Sequence, residues 1–353
     1  MKTVFVGMSG GVDSSVTASL LKEQGYSVVG VFMKNWTKSL PGFECPWQED
    51  YQDAKRVAVQ LGIEFRVFDF EKQYRQKVVD YMIAEYQQGR TPNPDIMCNQ
   101  EIKFKLFLDT ALRDGADLVA TGHYAIVKNS QLFKAKDSLK DQTYFLYRVS
   151  AQALAKTLFP LGELTKTEVR KIAKQLNLVT ATKKDSMGIC FVGKVGIKEF
   201  LEAELGTQQF GNIIDESGRI VGQHEGAIFY TLGQRHGLNV GGGLPYYVIG
   251  KDISKNEVYV TTNLASTKLW NKSINLNLVH WINGVPKDFE VDVRTRHGAQ
   301  LVKGKIKLST KLGSKSSHSK IEISLKNEIR ALTPGQSAVL YQGNKVLGGG
   351  IIL

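Results

Sequence analysis

Cysteine is scarce: the 353 residues hold three, Cys45, Cys98 and Cys190. An odd, low number argues against a disulfide framework, and no C-x-x-C occurs, which argues against a zinc ribbon; no resident metal site is expected. Long apolar runs are missing too, none approaching the roughly 20 residues that span a bilayer. No signal or transit segment precedes the first strand-like run, so a cytoplasmic location and no membrane partner are expected. Internal repeats and long disordered tracts are absent. Acid is in deficit, with 34 Asp and Glu against 46 Lys and Arg and a formal net charge of +12. That surplus suits a polyanionic partner such as nucleic acid, although plain solubility charge would look the same.

What is present begins with MSGGVDSS, residues 8–15, directly after the apolar Val4, Phe5 and Val6. Gly10 and Gly11 permit positive φ, and Asp13 or Ser14 could cap a following helix, so a plain strand-to-helix turn is one reading. An anion cradle is the other: glycines admit a phosphate close to the backbone, while hydroxyls and helix N-terminal N–H groups point at it. Context favours the cradle. TVFVG reads as a buried strand, SSVTASLLKEQG as a helix closed by Gly25, and SVVGVFM as the next strand. This is a βαβ unit with its loop at the carboxyl end of the first strand, where open α/β sheets bind ligands. The loop lacks the Lys-Ser/Thr of a Walker motif and is not G-x-G-x-x-G. Its form S-G-G-x-D-S resembles the PP-loop of N-type ATP pyrophosphatases, which split ATP into AMP and pyrophosphate.

Strand-like and helical runs alternate onward: a helix with Ala54, Val57, Ala58 and Leu61 on one face, the strand IEFRVFDF, a helix to Gly89, and a strand within 117–125 that ends in a Gly-His-Tyr loop. The expected fold class is α/β, a doubly wound parallel sheet over residues 1–204. Residues 151–182 read as helical, with Thr165-x-x-Glu168 as a capping box. From about residue 205 the texture turns to short strands and glycine-rich turns. This predicts a small central β-rich domain over 205–272 and a C-terminal β-barrel domain over 273–353.

Several side chains could do chemistry. Cys98 is expected to open a helix, where the dipole would favour thiolate; a small buried hydrophobe is the alternative. Cys190 lies in KKDSMGICFVG, a stretch without clear period downstream of two lysines and Asp185; a swinging thiol and a buried one both stay open. Cys45, beside Pro46 and Trp47, reads as structural. His123 ends a strand on the ligand side of the sheet, as an acid–base group or as a satisfied structural histidine. Lys140, Asp141 and Gln142 form a polar turn expected to precede an apolar strand. The lysine-rich tract 302–320 suits a phosphate-binding face or a solvated hairpin.

Taken together, GMSGGVDSSV, NPDIMCN with IKF, ATGHYA, KDQTYFL, KKDSMGICFVG, GQHEGAIFYTLGQRHGL and PGQ resemble the bacterial tRNA-specific 2-thiouridylases of the MnmA type. The resemblance runs from residue 5 to about residue 340. It implies an ATP-dependent sulfurtransferase: ATP adenylylates the C2 oxygen of a wobble uridine, and sulfur from a protein cysteine persulfide displaces AMP. It implies that Gly7, Met8, Ser9, Gly10, Gly11, Val12, Asp13 and Ser14 hold the ATP phosphates, with Asp13 meeting Mg²⁺, and that Met33 and Gly122 contact the nucleotide. Asn93, Pro94 and Asp95 would grip the uridine, Asp95 as an acid–base or orienting group. Cys190 would carry the persulfide, and Cys98 would release the sulfur through a transient Cys98–Cys190 disulfide. His123, Lys140, Asp141, Gln142, Arg296, His297 and Gln336 would contact tRNA, although TRHGAQ (295–300) matches loosely. The partners implied are the tRNA anticodon arm and a cysteine desulfurase or sulfur-carrier protein. Other PP-loop enzymes, such as amidating ligases and tRNA lysidine synthetases, need no second thiol; a tRNA-binding module would need no pyrophosphate loop.

Overall fold

A computed structural model describes residues 1–39, 44–185, 196–238, 240–241, 243–308 and 320–353. Strands β1 (Thr3–Gly7), β2 (Ser27–Lys34), β3 (Glu64–Asp69) and β4 (Leu118–Thr121) pair in parallel. The hairpin β5 (Ile126–Lys128) and β6 (Gln131–Phe133) leaves this sheet, and β7 (Thr157–Leu158) completes it in the order β3-β2-β1-β4-β7. Val4, Phe5 and Val6 are buried, as a central parallel strand covered on both faces requires. Helix α1 (Val12–Glu23) and helix α2 (Trp47–Leu61) follow β1 and β2, and α2 buries Ala54, Val57 and Ala58. Strand order reverses between β1 and β4. The chain therefore leaves β1 into residues 8–11 at the crevice where such sheets take ligands.

Beyond the α/β unit, β8 (Gly211–Asp215), β9 (Ile220–His224), β10 (Tyr247–Asp252) and β11 (Glu257–Thr261) form a four-stranded sheet. Next come β12 (Trp270–Trp281), β13 (Glu290–Arg294), β14 (Val302–Leu308), β15 (Ile321–Arg330), β16 (Ser337–Gln342) and β17 (Lys345–Ile352). β12 pairs with both β15 and β17, which closes these six strands into a barrel around Ile274, Leu276, Val293, Ile323 and Leu340. β17 also takes β6 at its first residues, so the β5–β6 hairpin is sewn onto the barrel.

Two expectations give way. The strand foreseen in 117–125 ends at Thr121, just ahead of the expected Gly-His-Tyr loop. The stretch after Gln142 is a single 3₁₀ turn, Thr143–Phe145, and not a strand: Tyr144 and Tyr147 pack in the main core against barrel strand β16, where their hydroxyls meet Ser337 O and Ser337 Oγ, both at 3.0 Å. Residues 151–182 are not continuously helical, because β7 at the sheet edge separates Ala151–Ala155 from Lys166–Gln175. Thr165 and Glu168 do form the capping box. Among the described residues no helix is long and apolar enough to cross a membrane.

Candidate active site

The loop after β1 is shaped from two sides. Gly10 has φ of +75°, and a Cβ there would lie 2.2 Å from the Asp50 carbonyl oxygen in the first turn of α2. Only glycine fits a left-handed conformation against another backbone. From β4, a Cβ on Gly122 would sit 2.8 Å from Ser14 N. Within the loop, Ser9 N–H donates to Ser14 Oγ at 3.2 Å, and the Ser14 and Ser15 hydroxyls donate to Gly11 O at 3.1 and 2.8 Å. Gly11 caps α1 without a side chain, so the first-turn N–H groups face the crevice as an anion site does. Met33 lies beside the root of the loop, its methyl 2.9 Å from where a Gly7 Cβ would be.

Asp13 carries the negative charge of this site. Both its oxygens accept from Lys166 Nζ at 2.8 Å, and Tyr124 OH donates to Oδ1 at 2.9 Å. Lys166 is the first residue of its helix and also pairs with Asp185 at 2.8 Å. Lys140 and Arg170 reach Asp185 at 2.9 and 2.7 Å. Burial by itself would raise the Asp185 pKa; hydrogen bonds from Lys166 and Lys140 outweigh it and hold the carboxyl at about 2. Two residues earlier, Lys183 grips Asp50 and Asp53 of α2 at 2.7 and 2.6 Å. Residues 183–185 thus connect the loop's Asp13 network to α2. Cys190 follows within 186–195 and lies outside the described residues, as does most of the 302–320 lysine tract after Leu308.

Cys98 sits elsewhere in its helix than expected. The helix begins at Pro94 with Asn93 as its cap, Asn93 Oδ1 accepting from Ile96 N at 3.3 Å. Asp95 occupies the first turn, and Cys98 comes a turn later, 4% exposed within the main apolar core. The dipole argument made for Cys98 therefore applies to Asp95. There burial wins and pushes the carboxyl pKa up, against the opposing pull of Lys103. From Cys98 to Phe107 the helix has π-type turns, and Phe104 leaves helical geometry at φ −104° and ψ 15°. Such bulges cluster at functional sites.

Of the residues assigned to tRNA, Arg296 and His297 are exposed on the turn after β13, with the His297 ring 4.6 Å from that of Phe145. Lys140 is partly exposed, while Gln142 Oε1 accepts from Tyr124 N–H at 2.9 Å. Two of these residues are buried. Asp141 is 3% exposed and bonds Thr143 Oγ1, Ala135 N and, at 3.2 Å, Arg294 Nη1. His123 is buried between Phe104 and Phe159, with Nδ1 2.7 Å from Thr121 Oγ1. Desolvation drives its pKa well below 6.5 and keeps the ring neutral. Gln336 is half-buried, with Nε2 donating to Thr91 O and Pro92 O at 2.9 and 3.2 Å. Cys45 is half-buried with Sγ 3.7 Å from Trp36 O, and burial raises its pKa, in keeping with a structural thiol.

Sequence reasoning missed Lys166, Tyr124 and Lys103. Lys166 stood inside the capping box, read there only as a helix start. Lys103 stood in IKF and lies close enough to Asp95 and His123 to bias both. Among the described residues no group of three or more His, Cys, Asp or Glu gathers as a metal cage.

Family models match almost the whole chain: a tRNA methyl transferase HUP domain at residues 2–194, a tRNA methyl transferase PRC-barrel domain at 198–262 and an aminomethyltransferase beta-barrel domain at 271–352. A protein of Enterococcus faecalis named tRNA-specific 2-thiouridylase MnmA is 47% identical over 99% of this chain and 94% of its own. One of the same name from Streptococcus sanguinis is 48% identical over the same shares. Among solved structures, a 4-thiouridine synthetase–RNA complex with bound ATP aligns with 57% of this chain and 50% of its own at 17% identity and a TM-score of 0.38.

Proposed function

The chain belongs to the tRNA-specific 2-thiouridylase family, and on that premise we propose how its residues divide the reaction. It is an ATP-using sulfurtransferase that acts on tRNA. Gly7 to Ser14 cradle the phosphates of ATP, with Met33 and Gly122 beside the nucleotide. The uridine C2 oxygen attacks the α-phosphorus, and pyrophosphate leaves toward the N-terminus of α1, whose N–H groups stabilise the departing charge. Mg²⁺ on the phosphates would be held by Asp13 once Lys166 yields one of its contacts, and would neutralise phosphate charge. Asn93, Pro94 and Asp95 hold the flipped uridine, and a half-buried Asp95 with a raised pKa can exchange the uridine proton.

Sulfur then enters. The terminal sulfur of a Cys190 persulfide attacks C2 and expels AMP. The Cys98 thiolate next attacks the Cys190 sulfur, breaking the S–S bond and leaving 2-thiouridine and a Cys98–Cys190 disulfide, which a thiol reductant reopens. A cysteine desulfurase or sulfur carrier reloads Cys190. Lys140, Gln142, Arg296 and His297 meet the tRNA backbone or bases. The division 1–204, 205–272 and 273–353 and a cytoplasmic setting complete the reading.

The observation that carries it is the loop closed by Gly10 and Gly122 at the switch point, with Asp13 in the first turn of the helix that follows. Purified protein is incubated with ATP, Mg²⁺, unmodified tRNA bearing a wobble uridine and a persulfide source, and the digested tRNA is analysed by mass spectrometry. The expected product is 2-thiouridine, dependent on ATP, Cys98 and Cys190; its mass distinguishes sulfur-for-oxygen exchange from methylation. AMP and pyrophosphate without thiouridine would move the substrate elsewhere.

A further inference from the structure

The loop from Gly89 to Pro94 leads into Asn93, Asp95 and Cys98, and it is held by distant parts of the chain. Two of its residues, Pro92 and Pro94, have no N–H, so the loop makes few bonds of its own. From the barrel comes the turn Pro334–Gly335–Gln336. Thr91 N–H donates to Pro334 O at 2.9 Å, and Gln336 Nε2 donates to both Thr91 O and Pro92 O at 2.9 and 3.2 Å. Gly335 has φ of +92°, and a Cβ on it would lie 2.8 Å from Thr91 N. The turn itself is pinned to β17, because Gly335 N–H donates to Ile352 O and Ile352 N–H to Gln336 O. From the four-stranded unit, Thr231 Oγ1 lies 3.1 Å from Thr91 Oγ1, and Ile253 packs on Gly89.

We propose that Gln336 is a positioning residue for thiolation: its amide holds the Thr91 and Pro92 carbonyls so that Asn93 and Asp95 meet the uridine in register. This rests on the thiouridylase reading for the roles of Asn93 and Asp95. An amide nitrogen with two hydrogens serves two carbonyls at once, which a hydroxyl or carboxylate in the same place does not. The barrel thereby sets the geometry of a loop more than 200 residues earlier in the chain.

The test uses the full-length enzyme with Gln336→Met, which keeps the length of the side chain and removes the donor. Two quantities are measured: tRNA affinity, and the single-turnover rate of 2-thiouridine formation at saturating tRNA. The expected split is an affinity within a few-fold of wild type and a rate lower by on the order of 10- to 100-fold, the scale of a small misplacement in an active site. Gln336→Lys, which retains a donor for the two carbonyls, restores much of the rate. Amide exchange over residues 89–98 rises in Gln336→Met while the β13–β17 strands keep their protection. Weakened tRNA binding with an unchanged saturated rate overturns the proposal in favour of direct tRNA contact, and so does no change in either quantity. Should Gln336→Met fail to fold, Gln336→Glu takes its place, with the same split expected. If wild-type enzyme forms no 2-thiouridine, the functional reading fails, and the exchange measurement still decides whether Gln336 orders the loop.

Discussion

His123 has its ring packed against Phe104 and Phe159 and one nitrogen on Thr121. Its folded pKa lies below the unfolded value of about 6.5, so between the two the unfolded chain binds the extra proton. The stability it contributes is full above pH 6.5 and declines as pH falls below it. NMR of the imidazole should show no titration between pH 7.5 and 5.5; a midpoint near 6.5 would mean that water reaches the ring. Cys98 is as deeply buried, and in the proposed reaction its worth is chemical. Cys98→Ala should abolish 2-thiouridine formation and leave tRNA affinity within a few-fold, as checked by mass spectrometry and filter binding. A large loss of affinity would assign Cys98 to the tRNA surface.

At the scale of elements, the nucleotide loop is a junction of β1, α1, α2 and β4. Gly10 is the point where α2 comes closest. Gly10→Ala forces a side chain into positive φ and against the Asp50 carbonyl, at a cost of at least about 2 kcal/mol. A lowered melting temperature together with lost ATP binding is expected by calorimetry and nucleotide titration. Unchanged ATP affinity would place the nucleotide elsewhere. Lys166 shows the same economy of position: one ammonium at a helix start joins the loop through Asp13 and residues 183–185 through Asp185.

For the whole molecule, the buried Asp141–Arg294 pair at 3.2 Å joins the turn before Thr143 to barrel strand β13. Asp141→Ala strands the Arg294 charge, whose Nε already has no partner, and should cost about 3–5 kcal/mol in a urea melt. Stability near that of wild type would show that water reaches the pair. The charge of +12 acts over longer distances. tRNA affinity should fall steeply between 50 and 200 mM salt as phosphate counterions are released, roughly a factor of 10³ for six contacts. A flat response in a binding titration would argue against a basic tRNA face.

The parallel sheet, the loop after β1 and the capping box at Thr165 were legible in the sequence because each rests on local signals: apolar runs, glycine spacing and a reciprocal Thr–Glu pair. The strands after residue 205 were legible as strands for the same reason. A C-terminal barrel was expected as well, but not which strands close it, since pairing β12 with β17 joins segments whose local patterns carry no record of each other. Tertiary structure alone decided that Asp141 and His123 are internal, that Cys98 lies one turn inside its helix, and that Lys166 meets Asp13. Those outcomes depend on which distant surfaces bury a side chain or supply its partner. Periodicity along the chain records where a residue can face, whereas burial and counter-charge are set by what the rest of the fold brings against it.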